Sequence, residues 1–133
     1  MPNEETLIIS SDPRNVELLE PFLEEFSKQC EMGKDDFNDV LLVLTEAVNN
    51  CIIHGNNKNP DKFVYITANK SECRLSFCVA DEGQGFDFHS LPDCTSDERL
   101  NLPNGRGVFL IKAIAHRVHY QNNGSRVLIH FNF

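Results

Sequence analysis

No apolar run in this sequence is long enough to span a membrane, and the opening residues, MPNEET, lack the basic and apolar segments of an export signal. No C-x-x-C pair occurs among the five cysteines, Cys30, Cys51, Cys73, Cys78 and Cys94, and their number is odd. That argues against a disulfide framework or a thiolate zinc site, and for reduced thiols in a cytoplasmic setting. Basic residues are also scarce: 12 Lys and Arg stand against 20 Asp and Glu, a formal net charge of −8. A nucleic-acid binder neutralises phosphates with a basic stripe, and none is present, so direct contact with nucleic acid is not expected. Neither a G-x-x-x-x-G-K-[ST] loop nor a G-x-G-x-x-G fingerprint occurs, and there is no internal repeat, low-complexity tract or linker. A small phosphorylated ligand stays open, because backbone N–H groups and a metal can supply the positive field locally.

What is present is ordinary for one globular domain with one core: 133 residues, 41% hydrophobic and 24% charged. Thr6 to Ser10 reads as a short strand. Asp12 and Pro13 then suit the N-cap and first position of a helix. Val16, Leu19, Phe22, Leu23 and Phe26 carry that helix to about Cys30, with Pro21 as an expected kink. Gly33 closes the segment, and Asp35 and Asp36 suit the first turn of the next helix. Residues 56–61, NNKNPD, read as a polar loop. Phe63 to Asn69 and Cys73 to Asp81 alternate as an antiparallel hairpin, with Leu75, Phe77 and Val79 on one face. A Gly-rich loop, DEGQGFD, follows. Residues 88–104 have no period and read as a functional lid. Val108 to Arg117 carries a helical stripe. Val118 to Gln121 and Arg126 to Phe131 are strands around Asn122-Asn123-Gly124, a strong hairpin signal. Cys51, Cys73 and Cys78 fall inside apolar patterns and read as small core residues.

The chain is organised around the helix from near Lys34 to Gly55. Phe37, Val40, Leu41, Leu44, Val48, Cys51 and Ile52 form its core stripe. At about 100° per residue, Glu46 and Asn50 lie about 40° apart and nearly opposite that stripe. Leu42, Val43 and Ile53 flank them, so the helix reads as apolar on two sides, with Glu46, Asn49 and Asn50 as a polar island in the second. A carboxylate and a carboxamide one turn apart can converge on one guest, the first accepting a proton and the second coordinating a hard cation. A solvated acidic face bordered by aliphatics is the plainer alternative, and the segment alone leaves both open.

Two glycine pairs extend the pattern. Asp81 ends an apolar strand, where an ionised carboxylate needs a partner such as a purine amine; capping the next turn is the alternative. Gly83 and Gly85 permit close backbone approach. Gly105 and Gly107 precede a helix, where free N–H groups favour an anion, and Arg106 between them offers a phosphate contact or simply an exposed charge. His54 reads as packing at a helix end rather than as a catalyst.

In this order the motifs resemble the GHKL ATP-binding superfamily of gyrase, a heat-shock chaperone, histidine kinases and the MutL repair ATPase. Glu46, Asn49, Asn50, His54 and Gly55 match its N box. Asp81, Gly83 and Gly85 match its first glycine box, and Gly105 and Gly107 its second. EAVNNCIIHGN, DEGQGF and the short length look most like bacterial anti-sigma-factor serine/threonine kinases. The resemblance runs from about Phe37 to Phe131. It implies an α+β fold, a two-layer sandwich of a mixed, mostly antiparallel sheet with helices on one face (the Bergerat fold), in one kinase domain over residues 1–133.

It also implies ATP and Mg²⁺ as cofactors. Glu46 would be the general base and Asn50 the Mg²⁺ ligand. Asp81 would contact adenine, helped by Gly83 and Gly85, and Gly105 and Gly107 would form the phosphate turn. Ser125 stands where a Gly-Thr often opens the last strand near the adenine. An anti-anti-sigma protein would be the substrate and a sigma factor or similar regulator a partner, with a homodimer as the assembly. The pattern departs before the second glycine box, where Pro103-Asn104 stand in place of an Arg of some members; Arg99 or Arg106 would have to serve. A nucleotide-gated module that sequesters a partner without phosphoryl transfer is the rival reading. A separate sensor-kinase catalytic half and a plain structural domain rank below it.

Overall fold

The computed structural model describes residues 3–30, 32–71, 74–83, 117–121 and 125–132. Strand β1 (Asn3–Ser10) leads into a 3-10 turn (Pro13–Leu18), then α1 (Leu19–Cys30) and α2 (Lys34–Asn50). A π-helical turn (Cys51–Gly55) extends α2, and β2 (Phe63–Ser71), β3 (Arg74–Ala80), β4 (Arg117–Gln121) and β5 (Arg126–Asn132) complete the described elements. No helix among the described residues is long and apolar enough to cross a membrane.

The strands form one sheet in the order β1-β2-β3-β5-β4. Every described pairing is antiparallel, so the mixed character expected of the sheet is absent among the described strands. The alternation that predicts β3 holds: Leu75, Phe77 and Val79 are buried. Val64, Ile66 and Ala68 of β2 and Val127, Ile129 and Phe131 of β5 share that inner face. α1 covers it with Leu19, Leu23 and Phe26, and α2 with Val40, Val43, Leu44, Ala47 and Val48. Phe77 is central to this layer. Its ring meets Phe26 edge-on at 6.1 Å and Phe131 at 6.0 Å, the arrangement that aromatic quadrupoles favour. On the outer face Ile8 and Tyr65 are paired partners, 56% and 37% exposed.

Several details correct the sequence expectations. Pro21 does not kink a long helix. The chain winds as a 3-10 turn to Leu18 and switches to α1 at Leu19, so Pro21 falls in a first turn, where its missing N–H would have no intrahelical partner. Asp12 does cap the 3-10 turn, its carboxylate accepting from Arg14 N at 3.0 Å. β2 runs on past Asn69 through Lys70 and Ser71, and Arg117 opens β4 opposite His130 instead of ending a helix. Cys78 is half-buried on the outer sheet face, because it alternates with Phe77 and Val79. The second apolar side of α2 is only partial: Val43 is core, while Leu42 and Ile53 are exposed.

Phe77→Ala removes the ring that both helical and strand aromatics pack against. It should lower unfolding free energy by about 3–5 kcal/mol, measured by urea denaturation; a loss below about 1 kcal/mol would contradict a central place for this ring.

Candidate functional site

The helix that carries Glu46 and Asn50 ends in a way that brings the site together. After Asn50 the winding loosens into the π-helical turn, closed by Asn56 N donating to Cys51 O at 2.8 Å. Such wide turns insert a residue into the helical ladder and occur often at functional sites. Asn57 and Lys58 then take φ of 53° and 57°, left-handed geometry that stops the helix, with Lys58 N donating to Ile52 O at 2.7 Å.

Gly55 is therefore driven against the loop that follows β3. A Cβ on Gly55 would run into the Asp81 carboxylate, and one on Gly83 into the Gly55 carbonyl. Both glycines are required by close approach. Asp81 N donates to Ser125 O at 2.9 Å, which ties the start of β5 to the same point. The structure thus gathers Gly55, Asp81, Gly83 and Ser125. Glu46, Asn49 and Asn50 stand on α2 leading into that junction: Asn50 is buried and the other two half-buried. Gly85, Gly105, Arg106 and Gly107 lie outside the described residues, as do Arg99, the lid expected over 88–104, most of the helix expected from Val108 and the expected turn at Asn122-Asn123-Gly124.

The Asp81 carboxylate is half committed. Oδ1 accepts from Gly83 N at 2.8 Å. Oδ2 is buried and has no hydrogen-bond partner among the described residues. The Cys51 thiol faces this carboxylate and steadies its charge, but a thiol is a weak donor. Burial pushes the Asp81 carboxyl above the ordinary aspartate range, against the Gly83 N–H, Cys51 and Lys62, which favour its charged form. Cys51 itself is raised well above the usual thiol range, first by burial and then by Asp81. Burial also raises Glu46. An acceptor oxygen buried and unspent suits a donor brought by a guest, such as the amine of a purine, and the close glycine packing shapes the wall beside it.

One contributor stands directly after the matched N-box residues and is assigned no role there. Asn56 opens the polar loop NNKNPD, yet it is 1% exposed. Its amide donates to Ser11 Oγ at 2.7 Å and Phe63 O at 3.0 Å, and accepts from Glu82 N at 2.9 Å. Only its position directly after the helix-ending Gly55 hints at this burial.

The model of the histidine kinase-like ATPase domain matches residues 9–131. The chain therefore belongs to that family. Among curated proteins it is similar to the anti-sigma F factor of Halalkalibacterium halodurans, 33% identical over 85 residues, or 64% of this chain and 58% of the relative. It is similar also to that of Clostridium beijerinckii, 37% identical over 62 residues, 47% of this chain and 43% of the relative. The chain thus spans less than two thirds of the length of these relatives. A crystal structure of the RsbU and RsbW domains of a Mycobacterium tuberculosis protein matches 96% of this chain and 30% of that one, with a TM-score of 0.64 and 12% identity. That likeness bears on the fold.

The raised Asp81 carboxyl makes the folded protein hold a proton that the unfolded chain has already released, so its contribution to stability falls as pH rises above the ordinary aspartate range. Asp81→Asn lacks this titration. The unfolding free energy of wild type minus that of Asp81→Asn should become more negative between about pH 4 and pH 7, followed by urea denaturation in the absence of nucleotide. A difference that stays flat or grows with pH would show that the carboxylate is well satisfied without a guest.

Proposed function

We propose that the chain is a cytoplasmic, Mg²⁺- and ATP-dependent protein serine/threonine kinase of the anti-sigma type. Its substrate would be a small anti-anti-sigma protein, and it would bind a sigma factor or a similar regulator. One observation carries the reading: the unspent, buried Oδ2 of Asp81 lies where the N-box helix ends, in a chain of the ATPase family whose curated relatives are anti-sigma F factors.

The roles follow the chemistry of the side chains. Asp81 accepts the exocyclic amine of adenine and so selects the base. Asn50 offers an amide oxygen to Mg²⁺, a hard cation that seeks oxygen ligands. Asn49 stands beside it on the helix. Glu46 would take the proton of the acceptor hydroxyl as that oxygen bonds to the γ-phosphorus and the bond from that phosphorus to the β–γ bridging oxygen breaks, ADP leaving with the electron pair. Desolvation raises its carboxyl toward the working pH, which is the direction a general base requires. The bound nucleotide supplies the transferable phosphoryl group. Gly105, Gly107 and Arg106 are proposed as the phosphate turn, Gly83 and Gly85 as the backbone beside the base, and Ser125 as a hydroxyl near it. A homodimer belongs to the same reading, and the exposed Ile8–Tyr65 pair offers apolar surface for it.

Calorimetric titration with ATP, with and without Mg²⁺, tests the first step; tight binding that needs Mg²⁺ is expected. Glu46→Gln should keep ATP affinity and lose at least about 100-fold in transfer to the partner. Wild-type transfer in that variant would remove Glu46 as the base, and a partner that binds but never gains phosphate would favour the sequestering module. Asp81→Asn should narrow the preference for ATP over GTP by about tenfold or more, read from the two dissociation constants. Unchanged discrimination would contradict the adenine contact.

A further inference from the structure

Asn56 is among the few fully buried polar side chains described, and the proposed mechanism gives it no role. We infer that Asn56, held by Ser11, is the positioning residue that sets the Asp81–Gly83 loop, and with it the base selectivity of the site. The inference rests on the nucleotide reading and adds a residue to it.

Its three bonds reach three separate segments: Ser11 after β1, Phe63 at the start of β2, and Glu82 in the loop after β3. The amide orientation is fixed by them. A flipped amide would set its NH₂ against the Glu82 N–H and its oxygen against the Phe63 carbonyl. The ring is closed from the other side, where the Glu82 carboxylate accepts from Phe63 N. Ser11 is itself anchored by donating its N–H to Lys62 O at 3.0 Å. The backbone of Asn56 is pinned to the π-helical turn by its bond to Cys51 O.

Glu82 stands directly between Asp81 and Gly83. Fixing its N–H fixes the peptide that carries the Asp81 carboxylate on one side and the Gly83 backbone on the other. Asp81 has one further tether of its own main chain, the bond to Ser125 O. Without Asn56 the loop keeps that tether and the Glu82–Phe63 link, so it remains attached but is free to rotate. A purine amine is recognised by an oxygen placed to within a few tenths of an ångström, so rotation of this kind degrades discrimination between bases before it abolishes binding.

The test compares Asn56→Ala, Ser11→Ala and Ile129→Val, a core trim on β5 distant in role from the loop. Each is titrated calorimetrically with ATP and with GTP, both with Mg²⁺, after denaturation curves establish that it folds. Asn56→Ala should cut the ATP-to-GTP affinity ratio by about tenfold, the scale set by losing buried hydrogen bonds. Ser11→Ala should cut it less, and Ile129→Val should lose stability with the ratio intact. A merely structural role would move stability in all three variants and the ratio in none. Equal ratios for wild type and Asn56→Ala would therefore overturn the inference while leaving the nucleotide site standing. Should Asn56→Ala fail to fold, Ser11→Ala decides by the same ratio, since it keeps the Phe63 and Glu82 bonds. A wild-type protein that binds neither nucleotide would overturn the nucleotide reading and this inference together.

Discussion

The contact between the end of the long helix and the loop after β3 governs the rest of the site. Gly83 lies so close to the Gly55 carbonyl, and Gly55 so close to the Asp81 carboxylate, that neither position has room for a Cβ. This approach is possible because the helix loosens into a π-helical turn and then stops in left-handed backbone at Asn57 and Lys58. A regular α-helical ending would carry Gly55 to a different angle around the axis. The two motifs that sequence inspection treats as separate, one on a helix and one on a loop, are in physical terms a single packed junction.

That junction is built at an electrostatic cost. A carboxylate with one oxygen bonded and the other buried with no partner among the described residues is worse solvated than it would be in water, which is why its proton affinity rises. Glu46, two turns up the helix, is pushed in the same direction by the same cause. The contrast is Asp12, half-buried and gripped by Arg14 at 2.7 Å, whose carboxyl is lowered to about 2. Asp12 is held by a neighbouring cation, whereas burial is the leading influence on both Asp81 and Glu46. Local departures from full satisfaction concentrate at functional sites in proteins that are otherwise consistent.

Much of this was legible in the residues. Periodicity of 3.6 located α2, and alternation located β2 and β3, because both patterns are imposed directly by which face meets the core. The N box and the Asp81-x-Gly83 pair were legible because glycine and a strand-ending carboxylate are unusual where they stand. Three features were not. Pro21 looked like a kink because the change from 3-10 to α winding, which places it in a first turn, leaves no mark on apolar spacing. Cys78 looked like core because cysteine is silent about which sheet face it joins, and only its alternation with Phe77 decides. Asn56 looked like loop because its three partners come from segments up to 45 residues away in the chain, and no local rule brings Ser11, Phe63 and Glu82 together.

Cys51 bears on the charge of Asp81 at this junction. Cys51 is buried, 3% exposed, and its thiol interacts with the Asp81 carboxylate. Alanine would fit and offer nothing; serine would fit and offer a strong hydroxyl donor. A thiol is intermediate. It eases the negative charge of Asp81 without claiming the second oxygen, as the unpartnered Oδ2 indicates. A hydroxyl at this position would saturate the carboxylate from inside the protein and compete with any donor arriving from outside. The thiol favours the charged form of the carboxylate without outweighing the burial that raises its proton affinity, and under the proposed nucleotide reading the second oxygen stays available to a guest donor.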